Sequence, residues 1–284
     1  MKNKKEEFMQ LVFLAAACAS IALVAMICIF LFGSGLPTIA QLGISEFLLG
    51  TKWRPNNDIY GILPMILGSV YVTLGAVAAG IPIGILTAVF MARFCPASAY
   101  KVLKPAVELL AGIPSVIYGF FGLVVLVPFI RSSFGGTGSS MLAASLLLGM
   151  MILPTLISVA EAVLRAVPDS YYEGALALGA GHVRSVFFTV VPAAKSGIMA
   201  AVILGVGRAI GETMAVIMVA GNQARMPQGI LEGVRTMTTN IVIEMGYAAD
   251  LHRDALIATA VVLFIFILLI NLTFSYLKGR VVRQ

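Results

Sequence analysis

The sequence predicts an all-helical, polytopic membrane protein with about six transmembrane helices. Of the 284 residues, 60% are apolar and only 11% are charged, whereas about 25% of the residues of an ordinary soluble domain are charged. Six apolar segments have the length of about 20 residues that crosses a bilayer. These segments are residues 11–33, 63–92, 105–130, 141–165, 197–221 and 255–277. Because lipid cannot bond the backbone, we expect each span to be a helix.

The chain begins with a basic segment and the first of these spans. Lys2, Lys4 and Lys5 precede an apolar run, as in a signal peptide. The run exceeds the about 7–15 residues of a typical signal core, so we expect a retained span. We divide the chain into residues 1–62, with this span and an external segment, and residues 63–284, with the other five spans.

Spans two to five contain residues that break a helix or let helices approach closely. Prolines lie within or at the ends of spans two to four: Pro64, Pro82, Pro114, Pro128 and Pro154. Membrane helices tolerate such breaks where neighbouring groups satisfy the freed backbone. Five glycines predict close helix contacts: Gly75, Gly80, Gly84, Gly119 and Gly205.

The fifth span carries two charged residues near its middle, Arg208 and Glu212. A charge at the bilayer centre costs about 2.5–3.5 kcal/mol on insertion scales, so such residues tend to face a bundle interior or a water-filled path. Because they are four residues apart, a helix is expected to place both side chains on one face, within reach of each other. Two interpretations stay open, a pathway for an anion and an ion pair that only holds helices together.

The basic residues predict that both termini are cytoplasmic, because cytoplasmic loops are enriched in Lys and Arg. Twelve fall on the N-terminal side: Lys2, Lys4, Lys5, Arg93, Lys101, Lys104, Arg165, Arg184, Lys195, Lys278, Arg280 and Arg283. Six fall on the other side: Lys52, Arg54, Arg131, Arg225, Arg235 and Arg253. They flank apolar segments and form no stripe, so the net charge of +6 indicates contact with membrane lipid and not with nucleic acid.

The predicted outer side holds two long segments, residues 34–62 and 222–254. The second is polar enough to meet a soluble partner. It carries the charged residues Glu232, Arg235, Glu244, Asp250, Arg253 and Asp254, besides Arg225.

The segment between spans four and five, about residues 168–192, is predicted to form two short helices. Ser170 and Glu173 have the spacing of a capping box, which would start a helix at Ser170. Gly179 and Gly181 would end this helix, because glycine readily takes the left-handed conformation.

The second short helix would run from His182 to about Val190, where Pro192 would stop it. Two helices bent at glycines would form a compact projection from the membrane. Apolar side chains on it favour a docking surface: Tyr172, Ala175, Leu176 and Leu178.

This segment resembles the EAA loop of ABC importer permeases, whose pattern is Glu-Ala-Ala, three residues, Gly, nine residues, Ile-x-Leu-Pro. At the same spacing this sequence has Glu173-Gly174-Ala175, Gly179 and Thr189-x-Val191-Pro192. Three positions depart from the pattern: Gly174, Thr189 and Val191. The resemblance implies that five residues couple the chain to a cytoplasmic ATPase: Glu173, Gly174, Ala175, Gly179 and Pro192.

Other stretches resemble phosphate importer permeases, from about residue 50 to the end of the chain. They are residues 53–55, 60–64, 111–119, 207–216 and 221–222. The Met-Ala-Val ending of the fourth of these stretches and the Trp-x-Pro of the first look like the C-type subunit rather than the A-type.

The resemblance implies the type I permease architecture of ABC importers, with residues 63–284 as the permease domain. It also implies a bacterial cytoplasmic membrane and three partners: a second homologous permease in a heterodimer, two copies of an ATPase, and an external phosphate-binding protein. The chain contains no G-x-x-x-x-G-K-[ST] loop, so ATP and Mg²⁺ would be used by the partner ATPase and this chain would bind no cofactor.

Five residues are predicted to line a pathway for the anion: Arg208, Glu212 and Thr213 in the fifth span, and Ser115 and Tyr118 in the third. An arginine suits an oxyanion, because its planar fork can bond two oxygens at once. Thr155 and Ser158 are further hydroxyl candidates, although such side chains more often bond a helix backbone.

The remaining polar residues indicate no enzyme or metal site. Glu108 lies four residues after Lys104 and is expected to pair with it. The histidines and cysteines have neither the spacing of metal ligands nor a catalytic arrangement: His182, His252, Cys18, Cys28 and Cys95.

Three alternatives to a phosphate permease stay open. A secondary transporter or anion channel would work without an ATPase, but gives no reason for the glycine-bent loop. A signalling subunit could report external phosphate to a membrane kinase. Within the importer class, the solute could be phosphonate, sulfate or molybdate, because the spans predict only an anion and phosphate depends on the resemblance.

Overall fold

The computed structural model describes residues 4–282, which form a bundle of helices and one small hairpin. Lys2 and Arg283 lie outside these residues. The helices are α1 Lys4–Leu42, α2 Ile44–Leu49, α3 Leu63–Val89, α4 Ala97–Gly112, α5 Ser115–Phe121, α6 Val127–Phe134, α7 Met141–Arg165, α8 Asp169–Ala177, α9 His182–Ser185, α10 Val191–Ala193, α11 Lys195–Gly211, α12 Met214–Val219, α13 Met237–Met245 and α14 Asp250–Val282.

Three π-helical turns continue or join these helices, and one antiparallel hairpin lies outside them. The π-turns are Phe90–Phe94, Gly122–Leu126 and Val186–Val190. The strands are β1 Trp53–Arg54 and β2 Ile59–Tyr60, joined by a 3₁₀ turn, with Trp53 opposite Tyr60.

The prediction of about six spans is confirmed. In the described residues, five helices are long and apolar enough to cross a membrane, and a bent pair, His182–Ala193 with Lys195–Gly211, makes a sixth. The first helix extends well beyond its predicted span, because α1 continues to Leu42. Its apolar stretch is unburied in the chain and therefore available to lipid.

The bundle has two ends, defined by what lies there. We call the end with α8 to α10 the loop end, and the end with the β-hairpin and α13 the hairpin end. The outer helices α1 and α14 run antiparallel: Phe32 contacts Phe264, with ring centroids 5.5 Å apart, while Gly35, further along α1, lies against Ala258, earlier in α14. The assignment of the loop end to the cytoplasm stays a prediction.

The core forms where α3 lies against α7. A Cβ added at Gly80 would come within 2.9 Å of the Gly149 carbonyl oxygen, so only glycine permits this distance between the helices. The predicted close contact at Gly80 is therefore confirmed. Gly205 differs, because a Cβ there would lie 3.8 Å from Ile152 and would fit without strain.

The third predicted span is wrong in its extent. Residues 105–112 belong to the separate helix α4, and the crossing begins at Ser115. The break has a local cause, because Pro114 disfavours the helical conformation in the residue before it. Ile113 accordingly has an extended backbone, with φ −68° and ψ 126°.

The fifth predicted span is interrupted. Helix α11 ends at Gly211, Glu212 is extended with φ −69° and ψ 131°, and α12 begins at Met214. The Glu212 side chain stabilises this break, because its Oε1 accepts a hydrogen bond from the Ala215 N–H at the start of α12, at 3.1 Å.

The segment 222–254 is only in part available to the soluble partner that its charges predict. Helix α13 is packed into the bundle, and Met237, Thr239 and Asn240 are fully buried. Glu244 is buried as well. Only part of the segment stays accessible, including Asp250, Arg253 and Asp254. The sequence could not predict this, because polar residues that bond one another can be buried.

Candidate functional site

Arg208 lies in the last turn of α11, directed at α7. Its Nη1 donates a hydrogen bond to the Thr155 hydroxyl at 2.7 Å. No carboxylate lies within ion-pairing distance of it in the part of the chain that the structure describes. The guanidinium is half-buried yet bonded only to a neutral group, so most of its donors are available to an anion.

The face of α11 beside Arg208 has room next to its backbone. A Cβ built at Gly207 or at Gly211 would meet no atom within 4 Å. Leu204 of α11 and Met214, just after the break, are 53% and 47% exposed. This face of the chain is therefore open next to a positively charged side chain.

The predicted pairing of Arg208 with Glu212 on one helix face is wrong. The helix ends between them, and the Glu212 carboxylate turns to the backbone of α12. A helix N-terminus carries unbonded N–H groups and a partial positive charge, which attract a carboxylate. The alternative of an ion pair that holds helices together is therefore excluded for these two residues. The Thr213 hydroxyl donates to the Gly211 carbonyl oxygen at 3.2 Å.

Helix α5 brings the other two predicted pathway residues next to the break. It packs closely on α12, since a Cβ added at Gly119 would lie 2.9 Å from the Ala215 Cα. The Tyr118 hydroxyl donates to the Leu110 carbonyl oxygen at 2.9 Å, and this hydrogen bond links α5 to α4. Ser115, at the first turn of α5, is half-buried.

The loop between α7 and α11 has the predicted two-helix form, with a different start. Helix α8 begins at Asp169 after Pro168, and no side chain caps it, so the capping box of Ser170 and Glu173 is wrong. Pro168 occupies the cap position, and its ring has no oxygen that could accept from the free N–H groups of the first turn.

Gly179 ends α8 as predicted, with φ at +85°. The Ala180 N–H then bonds the Ala175 carbonyl at 3.1 Å, and the Gly179 N–H bonds Leu176 at 2.9 Å, which is the Schellman pattern. Gly181 does not share this role, because its φ is −72° and it precedes α9.

The second loop helix is longer than predicted and ends in a sharp bend. It continues through the π-turn Val186–Val190 to Ala193, so Pro192 lies inside its last turn. The chain then bends by 71° into α11. The π-turn accommodates the proline, because widening a helix there frees the carbonyls that its ring would contact.

The loop exposes part of its predicted docking surface. Glu173 and Gly174 are exposed, as is Leu178 at 91%. Tyr172 and Ala175 are instead half-buried and face the bundle. The available apolar surface therefore lies toward the end of α8.

A buried carboxylate at the loop end was missed by the sequence analysis. Glu161 of α7 is 2% exposed and accepts hydrogen bonds from Tyr100 and Lys104, both at 2.9 Å, and from Arg165. The signal was available, since Glu161 lies inside a predicted span four residues before Arg165. This cluster ties α4 to α7.

The Glu161 cluster also affects the groups around it. The hydrogen bond to Glu161 raises the pKa of Lys104 above its ordinary value, so that ammonium stays charged. Burial raises the pKa of Tyr100, with a further contribution from its hydrogen bond to Glu161. The predicted pair of Lys104 with Glu108 is present at 3.6 Å, but Glu161 is the nearer partner.

A second buried carboxylate, Glu244, joins the elements of the hairpin end. Its Oε2 accepts from the Trp53 indole N–H at 2.8 Å and lies 2.8 Å from the His252 Nε2. Its Oε1 accepts from Arg235 at 2.6 Å. The hairpin, α13 and α14 are thereby held together, and the predicted docking residues Arg235 and Glu244 serve inside the fold.

The described residues contain no group of three or more histidine, cysteine or acidic side chains that could hold a metal ion. The polar groups around Arg208 are its own guanidinium, hydroxyls and backbone. The fixed positive charge of the guanidinium, which only donates, favours an anion there.

Comparisons with known proteins agree on a family and a fold. Residues 80–283 match the family described as binding-protein-dependent transport system inner membrane component. A probable ABC transporter permease protein of Bacillus subtilis, YqgH, is 40% identical, with 94% of this chain and 89% of the relative covered. The phosphate transport system permease protein PstC of Mesorhizobium japonicum is 33% identical, covering 94% and 88%.

A solved structure extends the likeness to the whole fold. A chain of a bacterial alginate ABC transporter, crystallised with its alginate-bound periplasmic protein, has a TM-score of 0.69. It is 15% identical, and the alignment covers 98% of this chain and 96% of that one.

Proposed function

Since this chain belongs to the family of binding-protein-dependent transport system inner membrane components, we propose that it forms half of the translocation pathway for inorganic phosphate. It is a permease subunit of an ABC importer, a class that works with an ATPase and a substrate-binding protein. A second homologous permease would complete the pathway, two ATPase subunits would bind the loop end, and a phosphate-binding protein would meet the hairpin end. The loop end would face the cytoplasm.

The observation that carries the pathway role is that the half-buried Arg208 bonds, among the described residues, only the neutral hydroxyl of Thr155. A buried charge without a counter-ion is costly, and a passing oxyanion would supply that counter-ion for part of the cycle. Among the described residues of the fifth span, Arg208 is the one cation, so it would bind the anion weakly enough to let it leave, as a conduit requires.

Phosphate as the solute is supported by the relatives named PstC, which are 33–34% identical over most of the chain. Other oxyanions are the competing candidates, because a guanidinium bonds any of them in the same way. ATP binding in the partner subunits would move the loop and open the spans outward. Hydrolysis would open them inward.

The test is uptake by the complete complex in lipid vesicles. We expect labelled phosphate to enter only with the binding protein outside and ATP on the ATPase side, and excess sulfate, molybdate or phosphonate not to compete. Preferred uptake of one of those anions would replace phosphate as the solute. Uptake driven by an ion gradient without ATP would reject the importer mechanism.

Two glycine-to-alanine variants test the coupling role of the loop, at positions that differ in their backbone φ. Gly179→Ala forces a side chain into the left-handed conformation, at a cost of about 1–2 kcal/mol, so we expect coupled ATPase activity to fall while the subunit stays inserted. Gly181→Ala is the matched control, because its φ is ordinary and an added Cβ meets nothing at either glycine. Equal activity of both variants would contradict the role.

A further inference from the structure

We propose that the π-turn Phe90–Phe94, at the loop end of α3, is the joint through which the loop moves the membrane bundle, with Arg93 and Phe94 as its positioning residues. The proposal depends on the coupling role proposed above for the loop. Two consecutive side chains of this turn reach the two halves of the loop. Arg93 holds the start of α8, and Phe94 contacts the start of α9.

Arg93 fixes the corner between α7 and α8. Its Nη2 donates to the carbonyl oxygens of Leu164 and Val167, both at 3.1 Å, and its Nη1 donates to the Asp169 carboxylate at 2.9 Å. A cation is favourable at the end of α7, where carbonyls lack helical partners. The Asp169 side chain is 75% exposed, so the ion pair alone would contribute little, and the two carbonyl bonds set the position.

Phe94 belongs to an aromatic cluster that joins both loop helices. Its ring meets the His182 ring edge-on, with centroids 4.6 Å apart. The His182 Nδ1 lies 2.7 Å from the Tyr172 hydroxyl, within hydrogen-bonding distance. Because Tyr172 is in α8 and His182 begins α9, the two helices and the end of α3 are held as one unit.

Helix α8 depends on these contacts because none of its own residues is buried. The second loop helix has additional packing, since Val186 and Val190 of its π-turn are fully buried. On the other side of the joint, α3 is closely packed along α7 through Gly80. A displacement of the loop is therefore passed to a long, tightly packed helix. π-Turns are frequent at functional sites, which fits a joint at this place.

The competing route is covalent, from α10 through the 71° bend into α11. If that route alone transmitted movement, the contacts of Phe94 would not affect coupling. The two routes are therefore separated by removing the Phe94 ring from the complete complex in vesicles. The measured quantity is labelled phosphate imported per ATP hydrolysed, which does not depend on how much complex has assembled.

For Phe94→Ala we expect this ratio to fall about 2- to 10-fold, the range for the loss of one aromatic contact. Phe94→Tyr keeps the ring and should restore the ratio. Phe90→Ala is the matched control: it removes the same ring from the same turn, but from a position that is 43% exposed and makes no aromatic contact with the loop in the described residues. Its ratio should equal that of the unaltered chain.

Two further variants keep the test valid if Phe94→Ala does not assemble. Arg93→Lys retains the charge but cannot hold both carbonyls and Asp169 at once, and Tyr172→Phe deletes only the hydroxyl next to His182. Both should lower the ratio, Tyr172→Phe less. An unchanged ratio in all assembled variants would overturn the joint, while ATP-driven uptake by the unaltered complex would leave the proposed function intact. Absence of that uptake, or no ATPase co-purifying with the unaltered chain, would reject the proposed function itself and the joint with it.

Discussion

Glu161 and Arg208 are both ionisable residues in membrane-crossing helices, but they differ in the number and charge of their hydrogen-bond partners. Three side chains donate to the Glu161 carboxylate, two of them cationic. Within the part of the chain that the structure describes, the Arg208 guanidinium has one partner, the neutral hydroxyl of Thr155. The carboxylate is neutralised inside the fold, whereas the guanidinium is left with free donors.

This difference separates a structural charge from a functional one. A charge with all its partners in place stabilises one arrangement and has nothing left to offer a ligand. A charge with too few partners must be completed by something that comes and goes. The position of a charged residue in a span therefore says less about its role than the number of its partners does.

The largest effect is expected for Arg208→Ala. Losing bonds from a charged donor costs about 1.5–3 kcal/mol, so phosphate uptake should fall about 10- to 100-fold while the complex assembles normally. Uptake by the vesicle assay and co-purification of the partners measure the two quantities. Arg131→Ala, which removes the same charge from an exposed turn of α6, is the control. Normal uptake by Arg208→Ala would contradict the functional role of Arg208 and leave it, like Glu161, a structural charge.

Glu161→Gln should behave in the opposite way. It weakens three hydrogen bonds around a buried carboxylate, so the free energy of unfolding should fall by about 1.5–3 kcal/mol, with normal uptake per assembled complex. Thermal unfolding of the purified chain in detergent measures it. Glu108→Gln changes the other carboxylate beside Lys104, which is 59% exposed, and should cost less than about 1 kcal/mol. A loss of uptake without a loss of stability would assign Glu161 to the pathway.

A smaller effect is expected for Thr155→Val, which removes only the hydroxyl that positions Arg208. The expected loss of binding free energy is about 0.5–1.5 kcal/mol. It would raise the phosphate concentration for half-maximal uptake about 2- to 10-fold. Thr87→Val is the control, since its hydroxyl bonds only the Ile83 carbonyl of its own helix at 2.8 Å. Identical behaviour of the two variants would mean that Thr155 does not position the guanidinium.

The smallest effect concerns pH at the Glu161 cluster. The pKa of Lys104 is raised in the folded chain, so its contribution to stability is complete below the usual lysine pKa of about 10.4 and is lost as the pH rises through the folded value. The difference in unfolding temperature between the unaltered chain and Lys104→Met should thus be constant from about pH 6 to 9 and shrink only above that range. A difference that changes near pH 7 would point to another group.

The sequence predicts the spans and their close contacts because these depend on composition and on single residues. Gly80 and Gly179 have the expected roles, since the close helix contact leaves no room for a Cβ and glycine takes the left-handed turn without the steric cost that a Cβ adds. The sequence also identifies Arg208, because a charge inside an apolar run is visible without a structure.

The sequence does not predict which side chains contact a charged residue. Glu212 was expected to share a helix face with Arg208, but it bonds the N–H of Ala215 and ends that helix. Glu161 was overlooked although it carries the same signal as Arg208. Its partners Tyr100 and Lys104 are about sixty positions away in the chain, on a helix whose separation from the third span depends on one proline.

The indole of Trp53 gives the hairpin end a built-in optical reporter. The chain has a single tryptophan, and its ring is 6% exposed and hydrogen-bonded to Glu244 between two strands and two helices. Tryptophan fluorescence from the isolated chain therefore arises from this one site. A red shift of its emission maximum would report water entering there, without any attached dye.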